Sequence, residues 1–491
     1  MILSALIFVP IVAAVVISAG SPGRFTSLVA AWVNLALTVI AWIQFEPGLA
    51  GFQLANSAPL ILAQPEMRFA LGVDGMSLIM VLLTSLVTLA AVWAAPGTLA
   101  RGGTKLYYIC VLLIAVGAMG AFCSTDLFFF YSFHELALIP TFLMIGIFGT
   151  GDRKQAAWKI TIYLGIGSLV LLVGLAALVL GLGGQTFDLT KLAVLAQSSP
   201  IPAASQTWIF LTLVIGFGIL VSLFPFHSWA PQAYASAPTP VAMLHAGVLK
   251  KFGLYGLLRV ALPMLPEGSQ SQWVLNLLLI MLLGNILYIG LVTVAQRELD
   301  QMLAYSSVMH MGYIFLGIVS WNVIGLTGAL LLMFGHGLSI ALLFLLSGVL
   351  RERTGTLHFE RFGGLAKPAP RLALIFGFAA FASIGLPGFA NFAGELLIFF
   401  GAFKNTVAGG ALWLPMATIL ALWGVVISAV YMLRAYRSIF KGEPADPPLV
   451  ISDLTGGVRW PALMLVAGLL IAGFFPQLFI KLIDTALSFA W

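Results

Sequence analysis

Long apolar runs recur along the chain, and polar residues are concentrated in the short stretches between them. A bilayer hydrocarbon core ~30 Å thick requires about 20 predominantly apolar residues for each spanning helix. Windows of that length predict fourteen spans, centred near residues 10, 35, 84, 115, 136, 170, 216, 250, 282, 311, 337, 387, 425 and 472. The pattern therefore predicts an all-α polytopic membrane protein of about 14 transmembrane helices.

Composition leads to the same class. Of the 491 residues, 61% are hydrophobic and 8% are charged, whereas a soluble domain carries roughly 25% charged residues. Soluble enzymes, nucleic-acid binders and secreted disulfide scaffolds are therefore excluded. Cys110 and Cys123 lie in apolar surroundings without metal-ligand spacing, so we expect them to be core residues and expect no metal site.

The basic residues predict the orientation. With the N-terminus outside, sixteen of the 23 Lys and Arg residues fall in cytoplasmic loops, five fall in outer loops and two lie inside a span. Loops that carry excess Lys and Arg stay in the cytoplasm. The bias predicts that both termini are outside. It also supports fourteen spans, because a miscounted span would scramble the alternation.

Two predicted spans are interrupted by proline. The seventh contains LFPFHSWAP (223–231) with Pro225, and the twelfth contains SIGLPG (383–388) with Pro387. Interruptions at matching places in two halves point to an ion pathway in inverted-repeat transporters. We therefore expect two inverted five-helix repeats, spans 4–8 and spans 9–13.

The domain organisation follows from these spans. We expect one membrane domain over residues 1–491, in which 1–100 holds spans 1–3, 105–262 the first repeat, 270–440 the second repeat and 441–491 span 14. The longest polar stretches, at 184–206, 351–370 and 441–458, are interpreted as connections. They contain no glycine-rich phosphate loop, flavin fingerprint, CxxC pair or haem motif, so we expect no cofactor in this chain.

Several ionisable residues fall at mid-membrane depth, where they are costly and usually functional. They are Glu135 with its neighbour His134, Lys250, Lys251, His310, His336 and Glu395. A histidine at such a position can also simply bond a neighbouring helix. Lys250 lies about 100° around the helix from Lys251, so for Lys250 packing or snorkelling is as good an interpretation as function.

Four runs carry a resemblance to a known family: FHELALIP (133–140), HAGVLKKFGLYG (245–256), LAYSSVMHMGY (303–313) and GLPGFANFAGELL (385–397). With the FPFHSWAP run, they resemble the antiporter-like subunit M of respiratory complex I, called subunit 4 in mitochondria. The resemblance implies a proton-translocating membrane-arm subunit of an NADH:quinone oxidoreductase, without a cofactor of its own. It also implies other membrane-arm subunits as partners, no nucleic acid, and a bacterial-type inner (plasma) membrane.

The same resemblance assigns a proton pathway to five residues: Glu135, Lys251, His310, His336 and Glu395. It leaves His134, His227 and Lys250 as auxiliary candidates. The sequence departs from the family's pattern at one important position. Leu220, five residues before Pro225, stands where the family usually has a lysine. Gln232 and Tyr234 also stand where Asp and His are common. Because Leu220 replaces the usual lysine, Glu135 lacks its usual cationic partner.

Two other readings stay open beside the proton-translocating one. The chain could serve another assembly, such as a cation/proton antiporter, a membrane hydrogenase or an inorganic-carbon uptake complex. It could also be a structural paralogue that no longer pumps. Leu220 favours these readings, while the five retained pathway residues favour translocation.

Overall fold

We describe a computed structural model of the chain over residues 1–61, 65–95, 103–404, 413–443, 449 and 451–490. A first group of elements comprises α1 (Ile2–Ser18), α2 (Gly23–Gln44), β1 (Gln53–Ile61), β2 (Met67–Val73), α3 (Gly75–Trp93), α4 (Thr104–Cys123), α5 (Leu127–Phe148), α6 (Arg153–Gly181), α7 (Leu189–Ser198), α8 (Ala203–Val221), α9 (Trp229–Ser236) and α10 (Thr239–Met264). A second group comprises α11 (Gln272–Ala295), α12 (Leu299–Val319), α13 (Val323–Thr354), α14 (Pro370–Ile384), α15 (Ala390–Lys404), α16 (Trp413–Phe440), α17 (Gly456–Phe474) and α18 (Gln477–Ala490).

The helices confirm the predicted class of polytopic membrane protein. Among the described residues, twelve helices are long and apolar enough to cross a bilayer. α1 and α14 are apolar but shorter, at 17 and 15 residues. Each predicted centre lies in a helix except residue 387, which falls in the non-helical turn between α14 and α15.

Three elements were missed by the hydropathy windows. β1 and β2 form an antiparallel hairpin, which is an addition to the otherwise helical fold. α7 lies in the stretch interpreted as a connection, and α18 follows α17 within a segment predicted to hold one span. All three are shorter than the 20 residues that such a window requires.

The hairpin is tied to the bundle by ion pairs and a helix cap. Glu66 binds Arg68 at 2.6 Å and Lys191 at 2.7 Å, which connects the hairpin to α7. After β2, the Asp74 carboxylate caps α3 by accepting from the Ser77 N–H at 3.0 Å, and the Ser77 hydroxyl oxygen accepts from the Asp74 N–H at 2.8 Å. This capping box satisfies donors that a helix N-terminus otherwise leaves free.

The first interruption separates α8 from α9. α8 ends at Ser222, whose φ of 67° is left-handed. The amide of Asn285 on α11 takes the place of the missing helical partners, because its oxygen accepts from Phe224 N at 2.6 Å and its nitrogen donates to Ser222 O at 3.3 Å. Non-helical backbone at membrane depth requires such internal partners.

The second interruption separates α14 from α15. Gly385 ends α14 with a φ of 80°, a conformation that glycine adopts without steric cost. A Cβ at this position would also collide with the Glu395 carboxylate. The turn therefore needs glycine for its backbone and for the side chain packed against it.

α10 and α13 are the central helices of the bundle. Their most apolar windows are buried on all sides. They approach closely at two glycines, since a Cβ on Gly247 would lie 3.0 Å from Gly337 O. α10 also contains a π-helical turn at His245–Leu249, a local widening that is frequent at functional sites. The two lysines follow this turn directly.

Candidate functional site

Two adjacent lysines form the centre of the site. Lys250 and Lys251 are 1% and 0% exposed, so both side chains stay inside the bundle and Lys250 does not snorkel. The Lys251 Nζ donates to Ala246 O in the same helix at 2.6 Å. The Lys250 Nζ lies 5.3 Å from the centre of the Tyr234 ring, in a cation–π contact.

Lys250 also reaches the second half of the bundle. Its Nζ donates to the Ser307 hydroxyl on α12 at 3.3 Å. That hydroxyl lies 3.3 Å from Nε2 of His336 on α13. The His336 ring stacks on His310 with centroids 5.0 Å apart. A hydrogen-bonded route thus runs from Lys250, an auxiliary candidate in the sequence analysis, to His336 through a serine that sequence reasoning did not select, and ring stacking connects His336 to His310.

His310 has an arrangement suited to proton exchange. Its Nδ1 lies 2.8 Å from Ser306 O, and its Nε2 lies 3.0 Å from Ser383 O at the end of α14. Carbonyl oxygens only accept hydrogen bonds, and a neutral imidazole has one N–H. Both contacts are therefore hydrogen bonds at once only when the ring carries two protons, and one of them is lost when the ring carries one.

Glu395 lies at the far end of this series. Its carboxylate is buried against the Gly385 turn that ends α14, two residues beyond the carbonyl that His310 contacts. Tyr313 and Tyr431 lie close enough to interact electrostatically with the Glu395 carboxylate. The Tyr431 hydroxyl is 2.8 Å from the Ser306 hydroxyl. The interrupted helix thus brings His310 and Glu395 to the same turn.

Glu135 is placed differently from the other predicted residues. Its carboxylate is 34% exposed at the surface of the chain and accepts from the Ser168 hydroxyl of α6. His134 Nδ1 is 3.4 Å from the carboxylate. Leu220 is buried against α6 next to Ser168, since a Cβ on Gly167 would lie 3.4 Å from its Cδ2. The base near the Glu135 carboxylate is therefore His134. Leu220 stands where the resemblance predicts a lysine.

His134 connects this group to the centre. Its ring stacks on Phe252, the residue after Lys251, with centroids 4.1 Å apart. The His134 side chain is buried, so it lies between the half-exposed Glu135 and the lysine pair. Lys250, another of the auxiliary candidates, donates to Ser307 instead.

His227 does not join the hydrogen-bonded series. It lies in the turn between α8 and α9, where its ring stacks on Phe224 with centroids 5.6 Å apart. Its buried Nδ1 has no hydrogen-bond partner among the described residues. A second histidine, His245, accompanies the lysines instead, with Nδ1 3.2 Å from the Tyr234 hydroxyl.

An ion pair at the other end of α10 also escaped the sequence analysis. Arg259 Nη2 binds Asp74 Oδ2 at 2.6 Å, and both side chains are nearly buried. Arg259 also donates to the Tyr255 hydroxyl at 3.2 Å. Since a buried charge requires a partner, this pair anchors α10 to the start of α3. Among the described residues, no group of three His, Cys, Asp or Glu side chains could hold a metal ion.

Comparison with known proteins gives the family. The family described as "NADH:quinone oxidoreductase/Mrp antiporter, TM" matches residues 124–421. The NADH-quinone oxidoreductase subunit M of Rhodobacter capsulatus is 35% identical over 506 aligned positions, covering 99% of this chain and 96% of that protein. The NAD(P)H-quinone oxidoreductase chain 4 2 of Thermosynechococcus vestitus is 34% identical, covering 97% and 89%.

Solved structures show the same similarity. A chain in the structure of respiratory complex I from Thermus thermophilus with bound NADH matches with a TM-score of 0.88 and 31% identity, covering 100% of this chain and 99% of that chain. A chain of the Mrp complex from Dietzia matches with a TM-score of 0.84 and 23% identity, covering 99% and 96%, which shows a shared fold. With the matched region exceeding half of its length, the chain belongs to the NADH:quinone oxidoreductase/Mrp antiporter family of membrane proteins.

Proposed function

We propose that the chain is a proton-translocating, antiporter-like subunit in the membrane arm of a complex I-type NADH:quinone oxidoreductase, where it contacts other membrane-arm subunits. One observation supports this most strongly: buried polar groups follow one another from the lysine pair to Glu395 through the central helices. Ionisable groups are expensive at this depth, and packing alone does not require such a series. Protons are the transported species, and no cofactor takes part within this chain.

The proposed architecture has fourteen spans with both termini outside. α8 with α9 and α14 with α15 each count as one interrupted span, and α1 counts as a short one. The inverted repeats are then α4–α10 without α7, and α11–α16. In each repeat the fourth span is the interrupted one, and each interruption begins with a left-handed residue, Ser222 or Gly385. The excess of basic residues in alternate loops supports the orientation.

Proton transfer is proposed to proceed through changes of hydrogen-bond partner. A proton held on the lysine pair passes by way of Ser307 to His336 and then to the stacked His310. His310 exchanges it between the Ser306 and Ser383 sides, and Glu395 receives it at the turn. The geometry gives Lys250 a larger part than the sequence assigned to it, because Lys250 makes the contact with Ser307, while Lys251 occupies the family position.

Glu135 is proposed to work with His134 in place of the usual lysine. Their contact of 3.4 Å and the stacking of His134 on Phe252 support this assignment. A structural paralogue that no longer pumps is the second candidate, because Leu220 removes a cation that the family normally places beside this glutamate. The experiment below separates the two candidates.

The test is proton translocation by the whole complex in lipid vesicles. NADH oxidation and proton uptake are recorded together for the wild type and for Lys251→Ala, and Lys404→Ala at the exposed end of α15 is the matched control. We expect Lys251→Ala to lower the number of protons moved per NADH while quinone reduction continues, and Lys404→Ala to match the wild type. An unchanged ratio in Lys251→Ala would refute translocation by this chain. A ratio that depends on Na+ would favour a cation antiporter.

A further inference from the structure

A cavity of about 590 Å³ lies outside the series of groups described above. Its walls include Gln232 and Ala235 of α9, Glu298 before α12, and Arg351 at the end of α13. Gln232 is exposed, so the cavity opens to solvent. It lies beside the start of α6, with Arg153, and the end of α13, with Arg351 and Arg353, on the side that the proposed orientation makes cytoplasmic.

A buried ion pair forms part of the cavity lining. Asp300, on the first turn of α12, is 5% exposed and pairs with Arg351. It also accepts a hydrogen bond from the Ser347 hydroxyl on α13. Asp300 is therefore a carboxylate that borders solvent yet is held by two partners from another helix.

Arg351 connects this carboxylate to the interrupted span. Its Nη2 also donates to Ala235 O in α9 at 2.9 Å, and its Nη1 donates to the Thr150 hydroxyl between α5 and α6 at 3.2 Å. The Thr150 N–H in turn donates to Ser236 O at 2.8 Å. One guanidinium thus links the second half of the broken helix to Asp300.

Asp300 is aligned with the proposed proton route. It precedes Ser307 by seven residues on α12, which is about two turns or ~10.5 Å along the same helix face. Leu303 and Ala304 lie between them and are fully buried. The passage is therefore closed in this structure, and Asp300 is the titratable residue at its cavity end.

We propose that this cavity is the cytoplasmic proton inlet of the subunit, with Asp300 as the carboxylate that takes up the proton and Arg351 as its latch. A proton moves from cavity water to the Asp300 carboxylate and neutralises it. The Arg351 ion pair is then broken, which removes the link that this guanidinium forms between α9 and α12. The proton leaves Asp300 once water bridges the two apolar residues, and the Ser307 hydroxyl accepts it while passing its own proton to Nε2 of His336. This inference rests on the proposed function.

Other charged groups border the cavity and define the controls. Glu298 pairs with His358 at 2.6 Å near the opening, with both side chains more than a third exposed. Asp152 also lines the wall. These groups are exposed to solvent. They lack the burial and the position on α12 that single out Asp300.

The first test measures access by water. The two native cysteines are buried, so Gln232→Cys and Ala235→Cys can be probed with a membrane-impermeant maleimide in vesicles of either orientation. We expect both to be labelled from the cytoplasmic side alone. Thr190→Cys, in a separate cavity beside the β1–β2 hairpin, should be labelled from the other side. Failure to label positions 232 and 235, or labelling from the same side as position 190, would overturn the inlet.

The second test separates a proton acceptor from a structural ion pair. The measured quantity is the proton translocation due to this subunit, which is the part that is lost in Lys251→Ala. We expect Asp300→Asn to lower it by about tenfold and Asp300→Glu to retain at least half of the wild-type value. Arg351→Gln breaks the same ion pair but keeps the carboxylate, so it should retain more activity than Asp300→Asn. Glu298→Gln should match the wild type. Equal losses in Asp300→Asn and Arg351→Gln would assign Asp300 a structural role and overturn the proposal. If Lys251→Ala loses proton translocation and Asp300→Asn does not, the inlet proposal is refuted and the proposed function stands. If neither variant loses translocation, the proposed function itself is refuted.

Discussion

Ser307→Ala is the sharpest test of the proposed route, because one hydroxyl joins the lysine pair to the histidines. In the wild type it lies 3.3 Å from Lys250 Nζ and 3.3 Å from His336 Nε2. Without it, the amine and the imidazole face each other over roughly 5–6 Å, beyond the hydrogen-bond distance of about 3 Å.

The size of the effect follows from the lost contact. A hydrogen bond to a charged group contributes about 1.5–3 kcal/mol. If that contribution is lost where the proton crosses from Lys250 to His336, the rate of the step falls by about 10- to 150-fold, since 1.36 kcal/mol is tenfold. The fold itself should remain, because a buried serine is replaced by an apolar residue of nearly the same shape.

The assay compares proton uptake with NADH oxidation in vesicles that contain the whole complex. Ser306→Ala is the matched control, since its hydroxyl bonds Tyr431 and lies outside the Lys250–His336 contact. Ser307→Ala combined with Lys250→Ala should lose no more than either change alone, because both interrupt one step. Wild-type translocation in Ser307→Ala would refute the reasoning. Additive losses in the double variant would show two separate routes.

Three further predictions concern residues at the edges of the site and in the hairpin. Glu395→Gln keeps the shape of the side chain at the turn but cannot ionise, so protons moved per NADH should fall while native gels show normal assembly; normal coupling would exclude Glu395 from the path. Glu135→Gln should lower translocation because a histidine has replaced the lost lysine as its partner, and Leu220→Lys should then bring no gain. A silent Glu135→Gln together with improved coupling in Leu220→Lys would contradict that replacement. Hydrogen bonds from Lys191 and Arg68 lower the pKa of Glu66 from its usual 4.5. The contribution of these ion pairs to the stability of the hairpin is therefore complete above pH 4.5, and it is lost as the pH falls through the lowered pKa. Hydrogen exchange of β2, corrected for the intrinsic rate, should therefore rise only in acid, and Glu66→Gln should raise it at neutral pH.

The sequence predicted the class of protein and the positions of most helices, because hydrophobic length is a one-dimensional property. A helix that crosses ~30 Å of hydrocarbon leaves an apolar run in the sequence whatever it packs against. The two interrupted spans were equally readable, since proline and glycine restrict the backbone locally. The hairpin, α7 and α18 were missed because they are short and do not leave such a run.

The directions of the side chains were decided by the tertiary structure. α10 and α13 are buried on every side, so they have no apolar stripe from which an inward face could be inferred. Sequence spacing therefore could not show that Lys250 reaches Ser307 while Lys251 turns to its own helix. It could not show that Glu135 is half exposed beside His134 either.

Asp300 and Arg351 are a second case in which the sequence did not show which residues meet. In sequence, Asp300 and Arg351 are ordinary charges near the ends of two spans, as common in cytoplasmic loops as any others. Only the packing of α12 against α13 and α9 buries them together, and a buried charge must then find its partner. Hydropathy determines which segments enter the membrane, but contacts between segments distant in sequence determine which polar groups meet there.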